Sequence, residues 1–373
     1  MAEILEPDVN FIRQIRGLGG ASLNACYQCA TCATVCPLST DDRPFPRREM
    51  IQAQWGLKDK LIKDPNIWLC HYCNDCSIYC PRGARPGDVM ASLRAYTIYE
   101  YARPKFLAKW LLDKKYLPLL LAIPVIWFLF LIGITSGFHI PEAGEVVHLT
   151  KFASSLYVVD LTFVSLSILI VASFFLSIRD FWKDIKTVDL TPELIAARGG
   201  WLNIIVPPIK EILLHTRFFK CGEKNIRSYY HLLILWGFVG LFIVTSLFFF
   251  RTWIWPRIEE PLGLIHPIKW LANGAGVALL LGSLILVYDR ITDKETPTGY
   301  FDWSLVILVL ALAVTGFLTE IFRMLKVPTW ACLFYFIHLV TVFYLFAYLP
   351  FSKLAHMVYR TVAMVYERYE SGI

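Results

Sequence analysis

Six long apolar stretches limit what this chain can fold into more than any other feature of its sequence. They cover residues 117–138, 156–178, 229–251, 264–288, 302–322 and 331–350. Each approaches the roughly 20 residues that an α-helix needs to cross a bilayer. A buried core helix is the alternative for any one of them, but six in one chain favour membrane spans. The composition agrees, because 18% of the residues are charged, against about a quarter in soluble proteins.

Lysine and arginine are concentrated in alternate loops. The segment before the first stretch, the loop 179–228 and the C-terminal tail are rich in them, whereas the intervening loops are poor. By the positive-inside rule, both termini therefore face the cytoplasm. We therefore expect a multi-pass protein embedded in the lipid bilayer. The first residues lack the apolar core of a secretory signal, so we expect the clustered cysteines to lie in the cytoplasm, where metal binding is favoured over disulfides. We attribute the net charge of +6 to this topology, and expect no nucleic-acid partner.

Eight of the ten cysteines form two copies of one pattern, Cys-x2-Cys-x2-Cys-x3-Cys-Pro. This spacing is typical of [4Fe–4S] sites in which the fourth cysteine of each run binds the other cluster. A structural zinc site is the alternative, but it usually uses two separated Cys-x-x-Cys pairs. The pattern thus predicts one cluster on Cys26, Cys29, Cys32 and Cys80, and a second on Cys70, Cys73, Cys76 and Cys36. Cys221 and Cys332 lie outside the pattern and are expected to be ordinary thiols.

The segments around the cysteines have the start and stop signals of helices. "PRREMIQAQWG" runs from Pro46 to Gly56, and "DVMASLRAYTIYEYA" follows Pro86 and Gly87. We therefore predict an all-α protein. A cytoplasmic α-helical ferredoxin domain would cover residues 1–105, and a six-helix transmembrane domain would cover residues 106–373.

Four histidines lie in or beside the apolar stretches. Three are near the ends of stretches, and His338 is inside the sixth one. His231 and His356 are on the predicted cytoplasmic side, and His266 and His338 are on the outer side. His338 and His356 are 18 residues apart, which is five helical turns. On an unbroken helix, both side chains would therefore lie on the same face. Two imidazoles at one depth can bind haem b, which predicts a proximal pair (His231 and His356) and a distal pair (His266 and His338). His139, His148 and His215 stay unassigned.

Two further sets of residues leave alternatives open. Gly237, Gly240 and the "NGAG" of residues 273–276 would let helices approach either a haem or one another. Lys269 and Asn273 follow His266 by one and two turns, and are candidates for a quinone site. The alternative for Lys269 is a side chain that reaches to the outer membrane interface.

The cysteine runs resemble those of the C subunit of heterodisulfide reductases. The membrane part is similar to their E subunit and to the cytochrome b subunit of respiratory nitrate reductases, whose last haem-binding helix is matched by "LPFSKLAHMVYR" at 349–360. As a fusion of the two parts, nearly the full length resembles the membrane subunits of quinone-interacting membrane-bound oxidoreductase (Qmo) complexes of sulfate reducers. One position departs from the nitrate reductase pattern, because Leu241 stands where that subunit has a second haem histidine.

The resemblance implies an oxidoreductase subunit that transfers electrons. Menaquinol would be oxidised in the membrane part, and two haems b and two [4Fe–4S] clusters would lead to the soluble flavin and iron–sulfur subunits A and B of the complex. The final acceptor would be adenylylsulfate (APS) reductase, in sulfate respiration. The alternatives are a heterodisulfide-reductase-type subunit with another soluble acceptor, a haem-free membrane anchor for an iron–sulfur module, and a pump. Against a pump, Asp160 and Glu320 lie near the ends of their stretches.

Overall fold

The computed structural model describes residues 5–142, 146–187, 189, 191–216, 219, 226–254, 262–292 and 299–371. Within these ranges the chain folds into helices and contains no β-strand, which confirms the all-α prediction. Cys221 lies outside them. Cys332 is buried among apolar side chains of the membrane part, as expected of an ordinary thiol.

The segment before residue 115 is a set of short helices around one long one. They are α1 (Val9–Ile15), α2 (Thr31–Thr34), α3 (Arg47–Gln54), α4 (Lys58–Ile62), α5 (Asn66–Leu69), α6 (Asp75–Ile78), α7 (Pro86–Tyr101) and α8 (Lys105–Leu112). The predicted helices after Pro46 and at Pro86 are confirmed as α3 and α7. Phe11, Met50 and Met90, from α1, α3 and α7, meet in one apolar core. This core holds α7 against the segments that carry the cysteines.

The remainder of the chain contains the apolar helices. Its elements are α9 (Leu117–Ser136), α10 (Leu149–Phe152), α11 (Leu161–Ile185), α12 (Pro192–Ala197), α13 (Trp201–Leu214), α14 (Ile226–Ile254), α15 (Pro267–Thr292), α16 (Tyr300–Met324), α17 (Pro328–Tyr348) and α18 (His356–Ser371). Six of them, namely α9, α11 and α14 to α17, are long and apolar enough to cross a membrane. Each overlaps one predicted stretch, although α11 continues to Ile185, past the predicted end at residue 178.

Glycines bring α14 and α15 into close contact. A Cβ atom at Gly237 would lie 2.9 Å from the backbone nitrogen of Leu279, and one at Gly240 would lie 2.7 Å from the Cβ of Ala275. On the other helix, a Cβ at Gly282 would lie 3.0 Å from the carbonyl oxygen of Tyr230. Of the two interpretations of Gly237 and Gly240, the structure therefore favours helix packing over contact with a haem.

The cysteine-bearing segment and the membrane part share a buried aromatic cluster. Trp68 of α5 stacks on Tyr359 of α18, with ring centroids 4.9 Å apart and planes within 13°. Phe181 of α11 meets both rings edge-on. Trp68 and Tyr359 are almost completely buried, so the two parts of the chain pack as one body at this point.

Candidate metal-binding sites

The two cysteine runs adopt the same backbone conformation. In the first run Gln28 and Ala30 have left-handed backbones, with φ of 61° and 71°. In the second run the equivalent residues, Tyr72 and Asn74, have φ of 57° and 70°. This conformation costs about 1–2 kcal/mol for a residue with a side chain. Such strain persists where surrounding structure requires it, commonly at functional sites. Each run then enters a one-turn helix, α2 or α6, that carries the third cysteine.

The first group of cysteines surrounds Cys32, which is buried. Burial raises the pKa of the Cys32 thiol to about 11, and the negative charges of Cys26, Cys29 and Cys80 contribute to this shift. These four side chains therefore lie close together, although Cys80 comes from the other run. Cys29 is exposed, and Arg82 covers the exposed ring of Tyr27 at 4.0 Å. The first group thus faces solvent.

The second group lies deeper in the protein. Cys36, Cys70, Cys73 and Cys76 line one pocket, together with Leu38, Phe45 and Met90. Burial raises the pKa of Cys36 to about 12, and the nearby thiols of Cys70 and Cys73 add to this shift. Burial also raises the pKa of Cys76, to which Cys36, Cys70 and Cys73 contribute. Buried thiols with raised pKa values become thiolates when a positive metal centre neutralises them.

The arrangement of the four thiols in each group distinguishes an iron–sulfur cluster from a zinc ion. Each group takes three thiols from one run and the fourth from the other run, whereas structural zinc usually binds two separated Cys-x-x-Cys pairs. Among the described residues, no three His, Cys, Asp or Glu side chains are placed to hold a single metal ion. Four thiols in the three-plus-one arrangement fit a [4Fe–4S] cluster, and they fit it better than the zinc alternative.

Polar contacts hold the loop of the second group in place. Tyr72 donates to Asp88 at 2.8 Å, and the Gly87 amide donates to Ser77 at 3.2 Å. A Cβ atom at Gly87 would lie 2.2 Å from Oδ1 of Asn74, so a side chain there would displace the buried Asn74. The start of α7 therefore fixes the loop between Cys73 and Cys76.

The structure brings together the two histidines of the predicted proximal pair. The ring centroids of His231 and His356 are 6.3 Å apart, with planes at 70°. Two imidazoles that bind one iron through Nε2, at about 2 Å per bond, hold their ring centres roughly 6 Å apart. His356 donates from Nδ1 to the Lys353 carbonyl at 2.6 Å, which leaves its Nε2 with a lone pair. Burial lowers the pKa of His356 to about 4, so this ring is neutral at pH 7.

His215 is a functional candidate that the sequence left unassigned. Its Nε2 lies 2.6 Å from Nδ1 of His231, and the His215 side chain is buried at the end of α13. A metal-binding histidine usually donates its second ring nitrogen to a partner that fixes its orientation. His215 is placed to do this for His231. No motif marked it, because His215 and His231 are brought together by the packing of α13 against α14.

His338 also has its Nδ1 engaged. This nitrogen lies 2.9 Å from the hydroxyl of Thr315, which gives its own proton to the Ala311 carbonyl at 2.6 Å. His338 must therefore donate, and its Nε2 keeps a lone pair for a metal. Gly316 faces the same ring, since a Cβ there would lie 3.2 Å from its Cε1 atom. Thr315 and Gly316 were not singled out from the sequence.

His266 has a different arrangement of hydrogen bonds. Its Nδ1 accepts from the Ile268 amide at 3.2 Å, at the beginning of α15. No ring contact joins His266 to His338 among the residues that the structure describes. The distal pair therefore stays a prediction.

The two quinone-site candidates, Lys269 and Asn273, have different surroundings. Lys269 forms a half-buried ion pair with Glu320 at 2.7 Å, and Arg323 approaches the same carboxylate at 3.0 Å. The ion pair holds the Lys269 ammonium group beside α16. In the alternative interpretation, the side chain would instead extend to the outer membrane interface. Asn273 is half-buried one turn further along α15.

Comparison with known proteins supports the N-terminal site. Residues 22–84 match the family of 4Fe-4S dicluster domains. The chain is 39% identical over 89 residues to a protein of Archaeoglobus profundus that is described as like the C subunit of heterodisulfide reductase. It is 41% identical over 88 residues to the C subunit of the H(2):CoB-CoM heterodisulfide,ferredoxin reductase of Methanothermobacter marburgensis. These matches cover 24% and 23% of this chain, and 47% of each relative.

A third relative is similar to this chain over a slightly greater length. The C subunit of the ferredoxin:CoB-CoM heterodisulfide reductase of Methanosarcina acetivorans is 31% identical over 101 residues, which is 26% of this chain and 40% of that protein. The chain spans less than half the length of these relatives. No solved structure matches it. The N-terminal part is therefore an iron–sulfur domain similar to the C subunit of heterodisulfide reductases, with a role in electron transfer.

Proposed function

We propose that this chain is the membrane subunit of a respiratory complex and carries electrons between a quinone pool and soluble redox proteins. Cys26, Cys29, Cys32 and Cys80 would hold one [4Fe–4S] cluster, and Cys36, Cys70, Cys73 and Cys76 the other. His231 and His356 would hold a haem b. When bound, these groups accept and release single electrons, which protein side chains do not do at ordinary potentials.

The observation that carries the membrane half of this proposal is the geometry of His231 and His356. Their ring centroids are 6.3 Å apart, so both rings could bind one haem iron, and the Nδ1 atom of each is engaged by a neighbour. The Nδ1 of His356 donates to a backbone carbonyl, so its Nε2 keeps a lone pair that can bind a metal. This favours a haem protein over the alternative of a haem-free anchor.

Quinol oxidation is the reaction that we propose for the membrane part. Menaquinol loses two electrons and two protons to become menaquinone, so its site needs a group that accepts protons. Glu320 is on the predicted outer side, and its ion pairs with Lys269 and Arg323 hold the Lys269 side chain beside α16. Lys269 and Asn273 remain the proposed quinone contacts, and a second haem on His338, with His266 as the predicted partner, would receive the electrons.

The soluble partners follow from the resemblance to Qmo membrane subunits. We propose the flavin and iron–sulfur subunits A and B as direct partners, APS reductase as the acceptor, and the bacterial inner membrane as the location, with both termini in the cytoplasm. A heterodisulfide-reductase-type complex with another acceptor is the second candidate, which the similarity of the chain to C subunits of such complexes favours.

A reduced-minus-oxidised spectrum of the purified full chain tests the haem proposal. Wild type should show a b-type band, and His231→Ala or His356→Ala should each remove about half of it, because the His338 haem remains. The control variant His139→Ala alters an exposed histidine of the outer loop and should keep the full band. A wild-type chain without a b-type band would overturn the proposal.

A further inference from the structure

Two arginines connect the proposed haem histidines to the second cysteine run. Arg360 lies four residues after His356 on α18, and Arg227 lies four residues before His231 on α14. Four residues are about one helical turn, so each arginine lies on the same helix face as its histidine. Both side chains reach the same four-residue loop, Cys70–Cys73.

The contacts of Arg360 are directed at the backbone beside a cysteine. Its Nη1 donates to the Cys70 carbonyl at 3.1 Å, and its Nη2 lies 2.7 Å from Nδ1 of His71. Arg227 donates to the Tyr72 carbonyl at 3.0 Å, and its guanidinium lies 5.7 Å from the centre of the Tyr72 ring. Guanidinium groups suit this task because they form several fixed hydrogen bonds at once.

The first cysteine group has a different environment. Cys29 is exposed, and the residue beside it in the loop, Gln28, bonds to Gln54 of α3 within the iron–sulfur domain. Arg47 donates to the Gln28 carbonyl at 3.2 Å, and also belongs to α3. These contacts hold the loop of the first run within its own domain. The loop of the second run is held both by α7 of its own domain and by the two arginines of the membrane part.

From these contacts we infer that the Cys36, Cys70, Cys73 and Cys76 site is the one that exchanges electrons with the His231–His356 haem, and that Arg360 and Arg227 are positioning residues of this junction. The Cys26, Cys29, Cys32 and Cys80 site is then the outward one, available to a soluble partner. The inference deepens the proposed function and rests on it, since it requires that both kinds of cofactor are bound.

The chain offers a matched control for Arg360. Arg94 of α7 donates to the same Cys70 carbonyl at 2.6 Å, but it belongs to the iron–sulfur domain and also bonds to Ile67. Arg94→Gln and Arg360→Gln each remove one positive charge from the same carbonyl. Loss of positive charge should lower the potential of the nearby cluster in both variants. Only Arg360→Gln also removes the hydrogen bond between the Cys70 carbonyl and α18.

The experiment combines redox titration by electron paramagnetic resonance with rapid mixing, on the full chain in detergent. Cys29→Ser and Cys73→Ser first assign the two cluster signals. Arg360→Gln should lower the potential of the Cys73-dependent signal and slow electron exchange between cluster and haem by about tenfold or more, the size typical of lost outer contacts. Arg94→Gln should lower the same potential without slowing the exchange, and Arg360→Lys should restore the potential but only part of the rate.

A measurement on wild type avoids dependence on variants that fold poorly. Oxidised, paramagnetic haem should speed the spin relaxation of the Cys73-dependent signal more than that of the Cys29-dependent one. The inference is overturned if the Cys29-dependent signal relaxes faster than the Cys73-dependent one. It is also overturned if Arg360→Gln changes the Cys29-dependent signal, or if Arg360→Gln slows electron exchange no more than Arg94→Gln does. A wild-type chain that lacks haem or cluster signals would instead overturn the proposed function, and the inference with it.

Discussion

At the scale of single residues, the role of each histidine depends on which ring nitrogen is engaged. His356 and His338 both donate from Nδ1 to an oxygen atom and keep Nε2 free, whereas His266 uses its Nδ1 to accept from a backbone amide. The sequence places His356 and His266 near helix ends and His338 inside a helix, but it does not reveal these hydrogen bonds. His215 shows the same limit, since only the folded chain brings it to His231.

His215 should act as a positioning residue for the proposed haem. His215→Ala removes the partner 2.6 Å from Nδ1 of His231, so haem affinity should fall about 10- to 100-fold and the haem potential should shift. The check is haem content and a redox titration of the b-type band, with His215→Gln as the conservative variant. An unchanged potential and haem content in His215→Ala would show that the contact has no such role.

Glu49 should make the stability of the iron–sulfur domain depend on pH. It is buried in α3, and burial raises its pKa to about 8, from 4.5, while Asp64 adds to the shift. The folded state therefore binds this proton more tightly than the unfolded state. The stabilisation is complete below pH 4.5 and is lost as pH rises through about 8, at up to about 1.4 kcal/mol per pH unit.

The variant Glu49→Gln removes that titration. Its advantage over wild type in melting temperature, followed by cluster absorbance, should grow between pH 5 and pH 9. Parallel melting curves for the two proteins across this range would contradict the raised pKa.

At the scale of secondary structure, the existence of the helices was predictable and their contacts were not. Apolar length predicted the six long helices, and proline start signals predicted α3 and α7. The same glycines of α14, however, suited either a haem or a neighbouring helix. The choice depends on which face α15 covers, and that is a property of the packed bundle.

Gly237→Ala should destabilise the pair of α14 and α15. The new Cβ would meet the Leu279 backbone nitrogen at 2.9 Å, and backbone atoms move less easily than side-chain ends. We expect a loss of about 1–3 kcal/mol, the usual effect of overpacking, measured as a lower melting temperature in detergent. Gly274→Ala is the matched control, because nothing lies within 4 Å of its added Cβ, and it should melt like wild type or slightly higher. Equal melting of both variants would argue against the close approach.

At the scale of the whole molecule, the iron–sulfur segment is attached to the membrane part through α5 and α18. Repetition of the cysteine pattern predicts two sites with exchanged fourth ligands, and this stays a prediction. In the structure, Cys36 lines one pocket with Cys70, Cys73 and Cys76. Which site faces the membrane could not be read from the sequence, because the two runs are nearly equivalent there. The difference arises from Trp68, Arg360 and Arg227, residues that make these contacts only after folding.

Trp68→Ala should loosen this attachment. The side chain is almost fully buried against Tyr359, and loss of a buried tryptophan typically costs about 3–5 kcal/mol. Amide hydrogen exchange in α18 should therefore become faster. Trp55→Ala is the control, because Trp55 is 55% exposed, and it should leave exchange in α18 unchanged. Equal protection of α18 in wild type and Trp68→Ala would contradict the role of this contact.

The central claim is that one chain connects a membrane haem site to two cytoplasmic iron–sulfur sites. The most direct test mixes the purified full chain with a menaquinol analogue under anaerobic conditions, and follows the b-type band and the cluster signals in the same sample. Wild type should reduce haem first and clusters afterwards, and His356→Ala should keep reduction of the remaining haem while cluster reduction stops. Cluster reduction that proceeds at the wild-type rate in His356→Ala, or without any b-type band, would contradict the claim.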